Sequence, residues 1–132
     1  ENEHVILQLI IAYCLKENYS AVLPFAKKIY RAPQFARSKA HIAYAIALEH
    51  TNNKKQAEAE FNMMKARFGN YEARYNYGLF LLRDQRYEEA MQLFNLMIEE
   101  ENQLSSRERK YNREWFSLAK NELKKVSSKQ VV

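Results

Sequence analysis

Small, aromatic and leucine side chains recur along the chain at a constant spacing of 33 residues. The recurring sets are Ala12, Ala45 and Gly78, then Leu15, Leu48 and Leu81, then Ile11, Tyr44 and Tyr77. A fixed period of this length indicates that one supersecondary unit has been copied along the chain. We therefore expect a stack of similar units with a repeated surface.

Local start and stop signals divide the chain into helices. Pro33 suits the first turn of a helix, Gly69 suits the left-handed position that ends one, and Asn70 suits the cap of the next. Ser105 and Glu108 have the spacing of a capping box. The predicted helices are 3–16, 20–31, 34–50, 54–67, 71–84, 87–102 and 105–126.

The last predicted helix has one apolar and one basic stripe. Its apolar stripe is Tyr111, Trp115, Leu118, Ala119, Leu123 and Val126, and its basic stripe is Arg109, Arg113, Lys120 and Lys124. A helix with one face to bury suits the end of a repeat stack, because the terminal unit otherwise leaves an apolar edge in solvent. We expect Trp115, the only tryptophan, to cover that edge.

Composition and charge narrow the fold class. With 47% hydrophobic residues but only two glycines and two prolines, the chain has too few turn-forming residues for an all-β protein, so we expect an all-α fold. Its 132 residues suffice for one domain, and Cys14 is the only cysteine. The net charge is +5, and its excess lies in residues 105–132, which hold 8 basic and 3 acidic side chains. The apolar run from Val5 to Leu15 is too short to span a bilayer and predicts a helix buried on most sides.

Two stretches of the chain share one motif. The first reads Arg74, Tyr77, Gly78, Leu81, Ala90 and Phe94, and the second reads His41, Tyr44, Ala45, Leu48, Ala57 and Phe61. Both resemble the tetratricopeptide repeat. The resemblance implies a right-handed solenoid of helical hairpins, with about three repeats at residues 3–31, 34–67 and 71–102 and a capping helix at about 105–126, in a single domain over residues 1–132.

The first predicted repeat, residues 3–31, departs from the motif. Its turn, at residues 16–19, comes about two residues early, with Tyr19 in the role that Tyr87 has in the third unit. Because the sequence begins at Glu1 rather than Met, we also expect it to be part of a longer protein.

A looser resemblance concerns the end of the chain. Residues 39–102, followed by the segment from Arg109 to Trp115, are similar to uncharacterised bacterial tetratricopeptide proteins that carry a membrane anchor before the repeats. This similarity implies a location in the cytoplasm or at the cytoplasmic face of a bacterial inner membrane, with membrane attachment in the parent protein.

The family resemblance also implies a binding surface, since the first helix of every tetratricopeptide unit lines an inner concave face. The corresponding candidate groove residues are Leu9, Tyr13, Lys39, Ile42, Ile46, Glu49, Glu72, Tyr75, Asn76, Leu79 and Arg83. An apolar groove with scattered polar groups suits a peptide or protein segment, because apolar burial gives affinity and the polar groups fix orientation. The alternative is that a flanking segment of the protein or a second copy covers the same residues.

No motif in the sequence predicts catalysis. His4, His41 and His50 share no ligand spacing with one another or with Cys14, and we expect His41 to have a packing role. There is no glycine-rich phosphate loop and no nucleophile elbow. The acidic run at residues 99–101 is typical of a solvated helix end, here near Arg107 and Arg109. We expect a protein that is not an enzyme and has no metal, cofactor or small-molecule substrate.

Two other functions remain open. The basic residues Arg109, Arg113, Lys120 and Lys124 could make the chain an electrostatic adaptor on anionic membrane or nucleic acid. Nucleic acid is the less favoured of these partners, because Tyr111 and Trp115 are assigned to the opposite, apolar stripe and cannot stack bases. The apolar first helix could instead pair with its own copy and make a homodimer.

Overall fold

The computed structural model describes residues 2–67 and 69–131, with side chains described as far as residue 126. Within these residues the protein is helical and contains no strand, which confirms the predicted all-α class. The helices are α1 (Glu3–Leu15), α2 (Tyr19–Ile29), α3 (Pro33–Ala36), α4 (Lys39–Glu49), α5 (Lys54–Lys65), α6 (Tyr71–Arg83), α7 (Tyr87–Glu101), α8 (Ser106–Tyr111) and α9 (Arg113–Val131).

The chain divides into two compact units, residues 1–63 and residues 64–132. In the first unit α1 packs against α2, α4 packs against both, and the short α3 packs against α4. In the second unit α6 packs against α7, α9 packs against both, and α8 packs against α9. In each unit, therefore, a third helix contacts both helices of a hairpin and helps to bury its apolar side.

The two cores differ in composition. One cluster in the first unit is mainly aliphatic and comprises Ile6, Leu7, Ile10, Val22, Ala26, Ile29, Phe35, Ala40, Ala43 and Ala47. The second unit buries large aromatic rings, among them Tyr71, Phe80, Phe94 and Phe116. Burying each large apolar side chain contributes about 1.5–3 kcal/mol, which makes these clusters the main source of stability.

The same turn ends α1, α4 and α6. Its left-handed residues are Glu17 (φ 58°), Asn52 (φ 66°) and Gln85 (φ 62°). The N–H of the following residue donates to a carbonyl five residues earlier: Asn18 to Tyr13 at 2.9 Å, Asn53 to Leu48 at 2.9 Å, and Arg86 to Leu81 at 2.8 Å. This is the long hydrogen bond of the Schellman motif, and the next helix begins one residue later each time.

The position of this turn shows that α1 is out of register with the 33-residue ladder. In α4 and α6 the carbonyl that accepts this hydrogen bond belongs to a ladder residue, Leu48 in α4 and Leu81 in α6. In α1 it belongs to Tyr13, which is two residues before the ladder residue Leu15. The turn after α1 therefore comes two residues early. The predicted early turn is confirmed.

The ladder assignment within α1 is wrong for the same reason. Leu15 is 80% exposed and Ala12 is also exposed, whereas the ladder residues Ala45 and Leu48 of α4 are buried. Ile10, two residues before Ala12, is the fully buried residue of α1. Apolar content alone did not reveal this shift, because nearly every position from 5 to 15 is apolar.

Gly78 allows the two helices of the second unit's hairpin to approach closely. A Cβ atom added to Gly78 would overlap the ring of Phe94, which lies on α7 and is fully buried. Gly78 is one of the recurring small residues of the 33-residue ladder, and the Phe94 ring leaves no room there for a Cβ atom.

Most of the local signals are confirmed. Pro33 is the first residue of α3, and Gly69 has a left-handed backbone with φ 81°. The side chain of Asn70 caps α6 by accepting a hydrogen bond from the N–H of Ala73 at 3.2 Å. These signals succeed because each depends on chemistry within a few residues.

Two predicted helices are each divided into two. The predicted helix 34–50 is α3 followed by α4, because the hydroxyl of Ser38 accepts from the N–H of Ala40 at 3.2 Å and starts a new helix. The predicted helix 105–126 is α8 followed by α9, with Asn112 between them. The capping box of Ser105 and Glu108 is confirmed at the start of α8.

The break at Asn112 changes which residues of the last segment face the core. Tyr111, predicted to be in the apolar stripe, is 86% exposed. Phe116, absent from the predicted stripe, is fully buried, with its ring centroid 4.8 Å from that of Tyr71. Trp115 is half-buried and contacts Tyr75, at 6.0 Å between ring centroids.

Helix α1 is buried on one side only. Ile6, Leu7 and Ile10 are buried, whereas Val5 is 51% exposed and Leu15 lies almost wholly in solvent. The expectation of a helix buried on most sides is therefore wrong. Among the described residues, no helix combines the length and the apolar character that crossing a bilayer requires.

Candidate functional site

The predicted groove residues of the first unit lie on α1 and α4. Leu9, Ile46 and Glu49 are half-buried, and Lys39 is exposed. Ile42 is only 7% exposed, so its side chain belongs to the core. The structure thus leaves Ile46 as the main partly open aliphatic side chain of α4.

Tyr13, also predicted to line the groove, packs inside its own hairpin. Its ring stacks on that of Phe25 from α2, with centroids 5.8 Å apart. This placement follows from the two-residue shift of α1, which turns Tyr13 toward α2.

The predicted groove residues of the second unit lie on α6. Glu72, Asn76 and Leu79 are half-buried, and Arg83 is exposed. The side-chain amide of Asn76 donates to the backbone carbonyl of Glu72 at 2.8 Å, which fixes its orientation along the helix.

Tyr75 does not offer an open surface. It is 8% exposed, and its ring lies 6.0 Å from the rings of both Phe94 and Trp115. Helices α7 and α9 of the same unit therefore cover this side chain. At Tyr75, the protein itself covers a predicted groove residue, which is one of the alternatives given above for the groove.

A buried polar cluster lies in the first unit, around Glu60. Nε2 of His41 is 2.6 Å from Oε1 of Glu60, and the two residues are only 2% and 6% exposed. The hydroxyl of Tyr30 donates to the same carboxylate, at 3.0 Å from Oε1 and 2.9 Å from Oε2. The cluster ties the end of α2 to α4 and α5.

Burial and the Glu60 carboxylate also raise the pKa of Tyr30. Desolvation, followed by the hydrogen bond and charge of Glu60, raises the pKa of Tyr30 to about 12. The same two causes, burial and the Glu60 charge, raise the pKa of Tyr44. Both phenols therefore stay neutral at physiological pH and act as donors or packing groups.

A similar cluster lies in the second unit, around Glu100. Nη1 of Arg74 donates to Oε2 of Glu100 at 2.5 Å, and the hydroxyl of Tyr71 donates to Oε1 at 3.0 Å. Desolvation, with the hydrogen bond and charge of Glu100, raises the pKa of Tyr71 to about 12. The Arg74 guanidinium also lies over the Tyr71 ring, 5.1 Å from its centroid.

The two clusters use equivalent positions of the ladder. His41 and Arg74 are 33 residues apart, and each binds a carboxylate from the next helix along the chain, α5 for His41 and α7 for Arg74. The packing role expected for His41 agrees with its burial. The sequence did not predict Glu60 or Glu100 as partners, because they lie 19 and 26 residues further along and their pairing arises only from tertiary packing.

The acidic run at residues 99–101 is more than a solvated helix end. Glu100 binds Arg74 and Tyr71, and Oε1 of Glu101 is 3.1 Å from Nζ of Lys120.

Each unit also has an open cleft. The cleft of the second unit, about 350 Å³, lies between α6 and α7, and its lining includes Tyr77, Leu81, Leu93 and Leu96. The cleft of the first unit, about 380 Å³, is lined in part by Lys27, Lys28, Arg31, Tyr44 and Glu60. Sequence reasoning missed both, since the family resemblance directs attention to the first helix of each hairpin.

The predicted basic face is divided between two helices. Arg109 lies on α8, whereas Arg113, Lys120 and Lys124 lie on α9, and all four are exposed. Lys120 is paired with Glu101, so its charge is partly neutralised.

The remaining titratable residues do not assemble into a reactive group. His4 and His50 are exposed, and Nδ1 of His50 donates to the carbonyl of Ile46 at 3.0 Å. Cys14 is half-buried, and burial raises the pKa of its thiol. In the part of the chain that the structure describes, no three His, Cys, Asp or Glu side chains come together to hold a metal ion.

No protein-family model, curated protein or solved structure matches this chain. The fold therefore defines the class only as an all-α protein that contains helical hairpins.

Proposed function

We propose that the chain is a non-catalytic, tetratricopeptide-like repeat module that binds a peptide or protein segment through the first helix of a repeat, α4 in the first unit or α6 in the second, each taken by itself. The binding residues are the partly open ones of the candidate groove, with Ile46 on the first unit and Leu79 on the second. No chemical step is assigned to either unit.

The burial pattern of α4 and α6 is the observation that supports this proposal most strongly. Residues 40, 42, 45, 47 and 48 of α4 are buried, and so is the residue 33 positions after each of them in α6. Residues 46 and 49 are half-buried, and so are their counterparts in α6. Seven of the eleven positions from 39 to 49 therefore share a burial class with the residue 33 positions later. Such agreement, together with the same terminal turn, is what copies of one structural unit produce.

Ile46 and Leu79 are the equivalent residues that can contact a partner. Each is an aliphatic side chain left half-buried at the same position of its helix. Desolvating the rest of such a side chain contributes about 25 cal/mol per Å² of apolar area, and nearby polar groups such as Asn76 can fix the orientation of the bound segment. A partner that contacts such a residue in either unit gains affinity without any catalytic group.

The proposal is tested by capturing partners from cells that make the protein, using chemical cross-linking and mass spectrometry. The variant Ile46→Asp with Leu79→Asp places a charge at both positions, and we expect it to lose the partner that the unaltered chain retains. Tyr75→Ala is unsuitable, because it removes a buried ring and would unfold the unit. A matched control is Asn62→Asp with Asn95→Asp, which also adds two negative charges, at exposed positions on α5 and α7.

Salt distinguishes this function from binding through basic residues. Capture through Ile46 and Leu79 should survive about 0.3 M salt, at which the Debye length is well below 10 Å and exposed charges are screened. Equal capture by the double aspartate variant and the unaltered chain would show that α4 and α6 are not the binding surface.

A further inference from the structure

Helix α8 and the first residue of α9 form a strongly basic exposed patch. Arg107, Arg109, Lys110 and Arg113 are exposed, and none of their side chains forms a hydrogen bond or salt bridge with another described residue. Further along α9, by contrast, Lys120 pairs with Glu101 and Lys125 pairs with Glu122. Within residues 105–126, the cations without such a partner are Arg107, Arg109 and Lys110 on α8, and Arg113 and Lys124 on α9.

The nearest acids leave this patch positive. Glu108 accepts the Ser105 N–H at 3.3 Å and the Ser105 hydroxyl at 3.0 Å, so its carboxylate is held at the start of α8. Glu114 is the other acid of the segment and lies in the first turn of α9. Four cations against these two carboxylates give a net positive patch within about two helical turns.

An aromatic ring stands among these cations. Tyr111 is 86% exposed because α8 ends at this residue and the chain turns at Asn112. Lys110 and Tyr111 follow Arg107 by three and four residues. Residues at i, i+3 and i+4 lie on one side of a helix, so these three side chains share one face of α8. Neither Arg107 nor Lys110 belongs to the predicted basic stripe, so Tyr111 has cationic neighbours that the stripe assignment does not include.

We propose that the face of α8 formed by Arg107, Lys110 and Tyr111 binds single-stranded nucleic acid. The phenol ring stacks on an unpaired base, and the cations contact the phosphates on either side of that base. Both interactions tolerate any base sequence, because every base has a flat face and every nucleotide has a phosphate.

The composition of α8 favours a nucleic acid strand over a lipid surface. A helix that lies in a membrane interface needs an apolar face, and the six residues from Ser106 to Tyr111 include no aliphatic side chain. A single strand is favoured over a duplex, because the bases of a duplex are already stacked on one another and cannot reach Tyr111.

The test is fluorescence anisotropy with a labelled oligothymidylate of about 12 nucleotides, a length that spans a typical binding site. We expect Tyr111→Ala to weaken binding at least about 5-fold, and Tyr111→Phe, which keeps the ring, to bind like the unaltered protein. We expect Arg107→Gln with Lys110→Gln to weaken binding and to reduce the slope of log K against log salt by about 0.7 for each lost phosphate contact.

A matched control has the same loss of charge at another place. Lys27→Gln with Lys55→Gln alters two exposed lysines of the first unit and should leave binding unchanged. Circular dichroism of each variant confirms that its helix content is retained.

Four outcomes would overturn the proposal. They are absence of oligothymidylate binding at low salt, unchanged binding by Tyr111→Ala, equal weakening by the control pair and the patch pair, and equally tight binding of a duplex of the same length. Retention on vesicles of anionic lipid without binding of the oligonucleotide would assign the patch to membranes instead.

Discussion

His41 and Glu60 form a buried pair, with Nε2 of the imidazole 2.6 Å from Oε1 of the carboxylate. Tyr30 donates to the same carboxylate, so three elements of the first unit meet at one acidic side chain. Nδ1 of His41 has no partner among the described residues. The pair therefore holds α4 and α5 together within a largely dry environment.

The first prediction concerns Glu60. Glu60→Ala leaves the Tyr30 hydroxyl and the His41 imidazole without their acceptor, and an unsatisfied buried polar group costs about 1–3 kcal/mol. We expect a loss of at least this size in the free energy of unfolding, measured by urea denaturation. Glu99→Ala, which removes an exposed carboxylate, should change stability by less than about 0.5 kcal/mol. Equal losses in both variants would show that the cluster contributes nothing specific.

The second prediction is a loss of stability at alkaline pH. The pKa of Tyr30 is about 12 in the folded protein, against an ordinary value of 10.0. Below pH 10 the phenol is protonated in both states and its contribution is fully present. As the pH rises from 10 to 12 the unfolded chain loses the proton first, so the folded state loses stability.

This dependence can be assigned to the residue by substitution. Tyr30→Phe should reduce the fall in unfolding free energy between pH 10 and pH 12, because one tyrosine with a raised pKa is gone. The fall that remains belongs to other such tyrosines, among them Tyr71, whose pKa is also raised to about 12. A spectroscopic titration of phenolate absorbance provides the independent check. An unchanged pH profile in Tyr30→Phe would contradict the assignment.

The third prediction concerns the close approach of α6 and α7. Gly78→Ala puts a methyl group where the Phe94 ring lies, and overpacking of this kind costs about 1–3 kcal/mol. Thermal unfolding should show a lower midpoint. In the double variant with Phe94→Leu the two losses should be less than additive, since the smaller side chain relieves the overlap. Strict additivity would show that the residues are not in contact.

The fourth prediction uses the left-handed turn residue Gln85. A side chain at φ 62° is strained by about 1 kcal/mol, and glycine is not. Gln85→Gly should therefore leave stability unchanged or raise it by a few tenths of a kcal/mol in urea denaturation. Glu99→Gly, at an exposed helical position, should lower it by about 0.5–1 kcal/mol. A larger loss at Gln85 than at Glu99 would contradict the turn geometry.

The sequence was informative where structure depends on neighbouring residues. The capping box of Ser105 and Glu108 and the cap at Asn70 are confirmed because side chain and backbone partner lie within three residues of each other. The 33-residue ladder agrees with the buried positions of α4 and α6 for a related reason, since both helices use the same residue types at the same offsets.

The sequence was misleading where several registers are equally apolar. Along α1 nearly all residues from Val5 to Leu15 are apolar, so the choice between Ile10 and Ala12 as the buried position could not be made from hydrophobicity. At Tyr111 the error has another origin. The helix was extended through Asn112, and a break there rotates every later residue relative to those before it.

The candidate site was only partly accessible to sequence reasoning. Of the predicted groove residues, Ile42 and Tyr75 are core residues, and Tyr13 stacks on Phe25. Family resemblance assigns a face of a helix, but it does not determine how far a neighbouring helix covers that face. The carboxylates of Glu60 and Glu100 were missed because only folding brings them to His41 and Arg74.

The most direct test of the proposed binding function is photo-cross-linking in the cells that make the protein. A photoreactive phenylalanine derivative is placed at Leu79, on the half-buried side of α6, and in a separate variant at Glu99, on the exposed surface of α7. We predict that the Leu79 variant forms a covalent adduct with one partner protein and that the Glu99 variant does not. The absence of an adduct at Leu79, or the same adducts from both positions, would contradict the account.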